Sequence, residues 1–316
     1  MDSENFLSLP MIDFSNSDLR PGTATWDLVK SQVRKAAEEY GCFQALFNKI
    51  PEEIQKATNG ALEELFQLPL ETKKCNVSEK PFHGYLGSSS SAVSLYESLG
   101  IVEPDIYEKV ENFINVLWPE GNVKVSKILH SFSEPVLELD QIIRRMIVES
   151  LGVEKYLEEH MKSTYYFLRV AKYQTPQTTE KKTGLRAHTD KNTLTIFYQN
   201  QVDGLEIQTR NGDWIPVKFS PNSLVILFGE SLKAWTNGRL YSPFHRVMMA
   251  GSEPRYSAVF FSVPKEGYII KALEELVDED HPLQYNPFDY SEYLKRRFAD
   301  NSKIISVPPL KNYFGA

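Results

Sequence analysis

The chain has very little cysteine and no block of like charge. Its 316 residues include only Cys42 and Cys75, so we do not expect a disulfide framework, and a reducing cytosol is the expected compartment. The net charge of −7 disfavours a nucleic-acid partner, which selects a basic face, and it disfavours a polybasic membrane surface. We therefore expect a cytoplasmic monomer that binds neither nucleic acid nor a membrane.

Long apolar runs are also lacking. Residues 1–10 are acidic and have no apolar segment of the kind found in signal peptides. No run approaches the roughly 18 apolar residues that are needed to span a bilayer. With 41% hydrophobic and 12% aromatic residues, the chain can still bury a large core. These features predict a globular protein without a membrane span.

Apolar residues recur at helical spacing in the first half of the chain. The predicted helices cover residues 26–40, 54–66 and 125–147, and Thr25 is the candidate N-cap of the first. Residues 75–121 show no clear period, so we expect an irregular segment there. Such a segment is either a lid or binding loop or a plain surface excursion.

From residue 164 onward the apolar pattern changes to a period of two, which is typical of strands. NGDW at residues 211–214 is a hairpin signal. Many short strands divided by Gly, Asn and Pro predict a closed or double-sheet β unit. The strand patterns cover residues 9–14, 42–47, 164–173, 192–199, 204–209, 222–229 and 255–263.

The order of these patterns predicts an α+β fold with a double-stranded β-helix, or jelly roll, as its core. We expect a helix-rich N-terminal region over residues 1–160 and the jelly-roll core over residues 161–266. A C-terminal closing segment is expected over residues 267–316, with helical character near 289–298.

Two of the six histidines and one aspartate suggest a metal site. His188 and Asp190 are two positions apart at the start of a strand-like segment, where alternate side chains share a face. His245 follows 55 residues after Asp190, at the end of another strand-like stretch. Two imidazoles and one carboxylate on one face of an ion form the facial triad that suits Fe(II), a chelating cosubstrate and O2. A His-x-Asp pair alone is more often a solvated polar pair, so this interpretation needs support.

Support comes ten residues after His245. Arg255 and Ser257 share one face of a strand-like segment with the apolar residues Val259 and Phe261. Burying an unpaired guanidinium is costly. A small-molecule carboxylate would satisfy it, because arginine binds carboxylates bidentately. An exposed arginine on an edge strand is the alternative for the pair alone, but its position after His-x-Asp and a distal His favours a cosubstrate site.

This combination resembles the plant Fe(II)- and 2-oxoglutarate-dependent dioxygenases of small-molecule metabolism. The resemblance rests on HTD at 188–190, His245 and RYS at 255–257, and it extends over nearly the whole chain. PFHGYLG at 81–87 and QVDGLEIQT at 201–209 are similar to the AOP-like subgroup, which includes the glucosinolate side-chain dioxygenases.

The resemblance implies that His188, Asp190 and His245 bind Fe(II), with 2-oxoglutarate and O2 as cosubstrates and ascorbate as a candidate reductant. The implied reaction is hydroxylation or another oxidation of a small plant specialised metabolite, such as desaturation, demethylation or ring chemistry, with release of succinate and CO2. No catalytic residue beyond the metal ligands is implied. The presence of Asp190 disfavours halogenation, which needs that ligand position to be vacant.

For the cosubstrate, the resemblance implies that Arg255 and Ser257 bind the far carboxylate of 2-oxoglutarate and that Tyr173 contacts the same molecule. Ala171 departs from the asparagine that many relatives carry two residues before this tyrosine. One hydrogen bond to the cosubstrate is therefore expected to be lost.

Two aromatic residues are implied near the substrate. Phe261 matches an aromatic residue that faces substrate in relatives, although ordinary core packing is the alternative. Tyr85 lies in a loop that resembles a substrate-side loop.

Three other functions use the same residues. A zinc hydrolase would use two histidines and one aspartate but leaves Arg255 and Ser257 unexplained. A non-catalytic metal-binding or interaction module is a second alternative, although the triad is intact. The third is an oxidase of the same superfamily that does without 2-oxoglutarate, like aminocyclopropane-carboxylate oxidase.

Overall fold

The structure is a computed structural model that describes residues 8–87, 95–176, 178–301 and 310–316, without the side chains of 179 and 297–301. Within these residues the helices are α1 Ala24–Glu39, α2 Glu52–Gln67, α3 Leu70–Lys73, α4 Tyr107–Leu117, α5 Val123–Ser150, α6 Leu157–Lys162, α7 Glu230–Trp235, α8 Tyr290–Asn301 and α9 Lys311–Phe314. The strands are β1 Met11–Asp13, β2 Cys42–Leu46, β3 Tyr96–Val102, β4 Thr164–Tyr173, β5 Thr178–His188, β6 Leu194–Gln199, β7 Leu205–Gln208, β8 Trp214–Pro216, β9 Ser223–Phe228, β10 His245–Gly251, β11 Arg255–Pro264, β12 Ile269–Ile270 and β13 Phe288–Asp289.

Two sheets form the core of the fold. The larger sheet has seven strands in the order β1-β2-β9-β6-β11-β4-β3, and the smaller has four in the order β5-β10-β7-β8. The described strand pairs are antiparallel except for β1 with β2. The predicted α+β class with a jelly-roll core is confirmed.

The larger sheet is buried on both faces, and alternate residues of its strands pack into different hydrophobic clusters. On β11, Phe260 joins the cluster that includes residues of α1, α2, α4 and α5. Its neighbour Val259 joins a second cluster with Leu205 and Ile207 of the smaller sheet. Because side chains alternate along a strand, one face of β11 contacts the helical layer and the other faces the space between the sheets.

The N-cap of α1 is Thr23 rather than Thr25. Thr23 has an extended backbone, and its Oγ1 accepts a hydrogen bond from Trp26 N at 3.1 Å. Thr25 already lies in the first turn, so the predicted cap is wrong by two residues. The predicted helix itself is confirmed, and so is the long helix over residues 125–147, which α5 extends at both ends.

The expectation that residues 75–121 are irregular is wrong for two segments. Residues 96–102 form β3, which has buried residues on both faces and therefore lacks a period of two. Residues 107–117 form α4, whose buried side chains Val110, Phe113, Ile114 and Leu117 follow helical spacing. That spacing was present in the sequence. The serine run at 88–91 lies outside the described residues.

The three predicted regions of the chain stay a prediction. Strands β1, β2 and β3 belong to the predicted N-terminal region, yet they pair within the larger sheet. Among the helices of the described ranges, none is both long and apolar enough to cross a bilayer.

A buried ion pair within α5 is hydrogen-bonded to the larger sheet. Asp140 and Arg144 are fully buried, with Arg144 Nη1 at 3.4 Å from Asp140 Oδ2. Arg144 also donates to Thr164 Oγ1 at 2.8 Å at the start of β4. Ser262 Oγ of β11 donates to Asp140 Oδ1. These bonds fix the helix against the two strands that carry the candidate site on their other face.

Replacement of the Asp140 carboxylate tests this connection between α5 and the larger sheet. We expect Asp140→Ala to lower the free energy of unfolding by about 3–5 kcal/mol, because Arg144 would remain buried without a carboxylate partner. Glu138→Ala on the same helix is the matched control, since that carboxylate is half-exposed and pairs with Lys49. Its effect should stay below about 1 kcal/mol. Urea unfolding measures both, and equal losses would contradict the account.

Candidate active site

The loop between β5 and β6 is fixed by the end of β9 and the start of α7. Glu230 N donates to Asp190 O at 2.8 Å, and Gly229 N donates to Thr193 O at 3.0 Å. A Cβ at Gly229 would lie 1.9 Å from Asn192 O. Only glycine permits so close a backbone approach. The backbone that carries Asp190 is therefore held against the first turn of α7.

Three side chains that can bind a metal meet at this loop. Nε2 of His188 lies 3.8 Å from Asp190 Oδ1, and Nε2 of His245 lies 3.7 Å from the same oxygen. The three ligand atoms all lie within 4.8 Å of one another. An ion with bonds of about 2.0–2.2 Å fits between the carboxylate oxygen and either imidazole nitrogen. The donor set is the two-histidine, one-carboxylate set that non-haem iron prefers.

The expectation that His188 and Asp190 share a strand face is wrong. His188 is the last residue of β5, and Asp190 lies two residues beyond the strand. His245 begins β10 rather than ending a strand, and it is the register partner of His188. The side chains meet because β5 and β10 pair side by side and the loop after β5 folds back.

Hydrogen bonds orient two of the three side chains. Thr195 Oγ1 donates to Asp190 Oδ2 at 2.6 Å, which leaves Oδ1 towards the histidines. Nδ1 of His188 lies 2.8 Å from Arg186 O. Because a carbonyl can only accept, Nδ1 carries a proton, so in the neutral imidazole the lone pair available to a metal is on Nε2. Such outer contacts set the tautomer and direction of metal ligands.

His245 is almost fully buried, and its ring makes an edge contact with Phe197 at 5.7 Å between ring centres. Burial lowers the pKa of His245 to about 4, against an opposite effect of the Asp190 carboxylate. The imidazole is therefore neutral at neutral pH, which is the state that a metal ligand requires.

A buried guanidinium lies between the two sheets on β11. Arg255 is 1% exposed, and its Nε and Nη2 donate to Gln199 Oε1 at 3.0 and 2.6 Å. Its Nη1 has no hydrogen-bond partner among the described residues, and neither has the buried Ser257 Oγ. None of the ion pairs among the described residues includes Arg255. Two adjacent buried donors thus lack an acceptor, as expected of a site for a ligand carboxylate.

The side of this site opposite Gln199 is formed by β4. Tyr173 pairs with Arg255 in the strand register, and its ring centre lies 4.9 Å from the guanidinium carbon. Ala171 pairs with Ser257 and packs with Val247 and Met249. Ala171 is therefore part of an apolar wall beside Ser257.

The two expected substrate-side aromatics lie in different places. Phe261 is partly exposed and contacts Phe167, with ring centres 6.0 Å apart, and it pairs with Thr195 in the register of β11 and β6. The Tyr85 hydroxyl instead donates to Glu97 Oε2 at 3.3 Å. Glu97 points to the opposite face of β3 from Ser98. The structure brings Phe261 to the metal-side end of the site and does not bring the Tyr85 side chain there.

Three polar residues support the site although nothing in the sequence predicts them. Thr195 and Gln199 share one face of β6 with Phe197, but the strand is buried on both faces and its sequence shows no polar period. Glu230 accepts from Thr189 at 2.8 Å and from Tyr293 at 2.7 Å, which connects α8 to the metal-side loop. Nothing in the local sequence indicates this role, since the partners are far apart along the chain.

Comparison with protein families gives two matches. Residues 158–264 match the 2OG-Fe(II) oxygenase superfamily. Residues 9–114 match the N-terminal region described for the non-haem dioxygenase in morphine synthesis. The first match contains His188, Asp190, His245, Arg255 and Ser257.

A similar protein of known sequence is the probable 2-oxoglutarate-dependent dioxygenase AOP1.2 of Arabidopsis thaliana, which is 51% identical over 292 residues. The match covers 90% of this chain and 89% of that protein. The expected similarity to the AOP-like subgroup is confirmed.

Solved structures agree with this result. The rice dioxygenase for auxin oxidation has a TM-score of 0.78 at 27% identity, and the match covers 93% of this chain and 96% of that one. The Arabidopsis thaliana dioxygenase for auxin oxidation 1, in a binary complex with 2-oxoglutarate, has a TM-score of 0.76 at 26% identity, with coverages of 87% and 99%. This chain belongs to the 2-oxoglutarate- and Fe(II)-dependent oxygenase superfamily and is a 2-oxoglutarate-dependent dioxygenase.

Proposed function

We propose that His188, Asp190 and His245 are the iron ligands of this enzyme and that Arg255 and Ser257 bind the distal carboxylate of 2-oxoglutarate. The observation that carries the second assignment is the pair of buried donors without acceptors, Arg255 Nη1 and Ser257 Oγ. A zinc hydrolase needs no such anion site. The cosubstrate would have one carboxylate at the metal and the other at Arg255.

Gln199 and Tyr173 position the guanidinium. Gln199 Oε1 accepts two of its hydrogen bonds, and the Tyr173 ring packs against it. Nη1 is left free for the ligand, so the site is preorganised and the side chain loses little entropy on binding. Val247 and Met249, packed with Ala171, form an apolar wall that limits access of water.

When bound, iron with 2-oxoglutarate and O2 supplies a two-electron oxidation of a substrate C–H bond, coupled to conversion of 2-oxoglutarate into succinate and CO2. The chain contributes orientation and a dry environment. Phe261 and Phe167 form an apolar surface beside Thr195, whose hydroxyl holds Asp190. We propose that the substrate carbon to be oxidised lies against this surface.

The proposed substrate is a small plant specialised metabolite. The support is the similarity to AOP1.2 and to two dioxygenases for auxin oxidation, together with the aromatic surface at Phe261. The proposed outcome is hydroxylation or a related oxidation such as desaturation. Incubation with 2-oxoglutarate and a plant metabolite extract would reveal it as a mass gain of one oxygen atom or a loss of two hydrogen atoms.

We also propose that the enzyme works in the cytosol as a monomer, without nucleic acid, and that ascorbate keeps its iron reduced. The free thiols Cys42 and Cys75 support the cytosolic location, and the net charge of −7 supports the absence of a nucleic-acid partner.

Loss of the proposed carboxylate ligand should stop turnover. We expect Asp190→Ala to reduce 2-oxoglutarate-dependent succinate formation at least about 100-fold, because the change removes a direct metal ligand and outer-shell changes alone cost about 10–100-fold. Succinate release under air measures this effect. Asp213→Ala, which removes an exposed carboxylate after β7, is the control and should match the wild type. Normal succinate formation by Asp190→Ala would refute the ligand assignment.

Loss of the guanidinium should separate cosubstrate binding from metal binding. We expect Arg255→Ala to raise the Kd of 2-oxoglutarate at least about 30-fold, since truncating one partner of a buried charge pair costs about 2–5 kcal/mol. Iron affinity should change far less. Arg255→Lys keeps the charge without the planar fork, so an intermediate Kd is expected. Calorimetric titration measures the Kd, and an unchanged value in both variants would contradict the assignment.

The Thr195 hydroxyl should matter for metal affinity because it orients Asp190. We expect Thr195→Val, which has nearly the same shape, to weaken iron binding by about 10–100-fold. Thr195→Ser keeps the hydroxyl and should bind iron almost as the wild type does. Equilibrium dialysis under anaerobic conditions measures both variants. Equal affinities for Val and Ser would show that the hydrogen bond has no such role.

A further inference from the structure

A second arginine is buried on the face of the larger sheet that carries Val259 and is not used by the proposed cosubstrate site. Arg169 on β4 is 7% exposed and lies on the same strand face as Ala171 and Tyr173. Its Nη1 donates to Ser98 Oγ at 2.7 Å and weakly to Gly84 O at 3.4 Å. Its Nη2 has no hydrogen-bond partner in the described part of the chain.

This guanidinium keeps its charge and lacks an anionic partner. An arginine does not lose its proton in proteins, so burial leaves a cation that must be compensated. The ion pairs among the described residues do not include Arg169, and none of its hydrogen-bonding neighbours, Ser98, Gly84 O and Tyr96, is a carboxylate. The Phe167 ring, 5.2 Å from the guanidinium carbon, gives only part of the compensation. A buried, unpaired donor of this kind indicates a binding site for an anion.

The position of Arg169 differs from that of Arg255. Arg169 pairs with Val259, which pairs with Phe197 on β6, and Phe197 contacts His245. Two strand spacings place the Arg169 backbone about 10 Å from that of Phe197. Arg255 pairs with Tyr173, four residues along β4, so it lies about 13 Å from Arg169 along the sheet.

The two carboxylates of 2-oxoglutarate are already assigned, one to the metal and one to Arg255. The cation at Arg169 therefore remains for a different molecule. Its surroundings fit the substrate. The Phe167 ring contacts both Phe261 and His83, with ring centres 6.0 and 4.5 Å apart, and Gly84 O of the loop over residues 81–87 lies at the guanidinium.

We propose that the substrate is a small organic acid whose carboxylate binds Arg169 while its apolar part lies along Phe167 and Phe261, with the carbon to be oxidised towards the His188–Asp190–His245 end. This inference rests on the proposed function and names the substrate class of the same site. The carboxylate of the substrate is not consumed in the reaction; it fixes which carbon is presented.

The test compares acids with their uncharged amides on the Fe(II)- and 2-oxoglutarate-loaded enzyme without O2. The probes are 3-phenylpropanoic acid, octanoic acid and their primary amides, added alone and within a plant metabolite extract, and retained compounds are identified by ultrafiltration and mass spectrometry. We expect the wild type to retain acids over amides at least about 30-fold. Equal retention of acids and amides by the wild type would overturn the inference.

Variants of Arg169 assign the preference to this side chain. Arg169→Gln should lose the preference for acids, and Arg169→Lys should keep part of it. Arg169→Met, which replaces the cation by an apolar chain, is a second neutral variant in case Gln folds poorly. In both neutral variants the Kd of 2-oxoglutarate should stay at the wild-type value. A large increase of that Kd would assign Arg169 to the cosubstrate and overturn the inference.

The outcomes separate this inference from the proposed function. If the wild type binds no 2-oxoglutarate, the proposed function fails. If it binds 2-oxoglutarate normally and the neutral Arg169 variants retain acids as the wild type does, only the inference fails.

Discussion

A guanidinium buried without an acidic partner is the constraint on which this account depends. Arg255 is held by Gln199 and packed on Tyr173, yet its Nη1 and the neighbouring Ser257 Oγ have no acceptor among the described residues. Burying such a charge is unfavourable unless a ligand satisfies it. The arrangement is preorganised for a carboxylate, and this is why we propose it as the site of the cosubstrate.

The metal-side end depends on contacts between distant parts of the chain. Gly229 lets β9 and α7 approach the loop that carries Asp190, and Glu230 connects this loop to Tyr293 of α8. The C-terminal segment is therefore joined to the loop that carries Asp190 through the buried carboxylate of Glu230. The pairing of β5 with β10 thus positions the two histidines, and the loop that carries Asp190 is held from outside the sheet.

The sequence predicts the fold class and the main residues of the candidate site, but it does not predict every strand or the polar residues that support the site. The grouping of two histidines with one aspartate, the Arg–Ser pair on one strand face and the strand parity of Tyr173 could be predicted, because they depend on residue identity and a period of two. The prediction that His188 and Asp190 share a strand face was wrong, because the point at which β5 ends depends on its pairing with β10. β3 was missed because a strand buried on both faces has no period. Thr195, Gln199 and Glu230 were missed because their partners are distant in the sequence.

The most direct test of the central claim is an anaerobic titration of the Fe(II)-loaded protein with 2-oxoglutarate, followed by visible absorption. A chelate of an α-keto acid on Fe(II) gives a charge-transfer band that is absent for iron alone. The account predicts that this band appears and saturates at about one 2-oxoglutarate per iron, as expected for a triad that leaves open positions for a chelating cosubstrate. Iron that binds while no band develops at any 2-oxoglutarate concentration would contradict it.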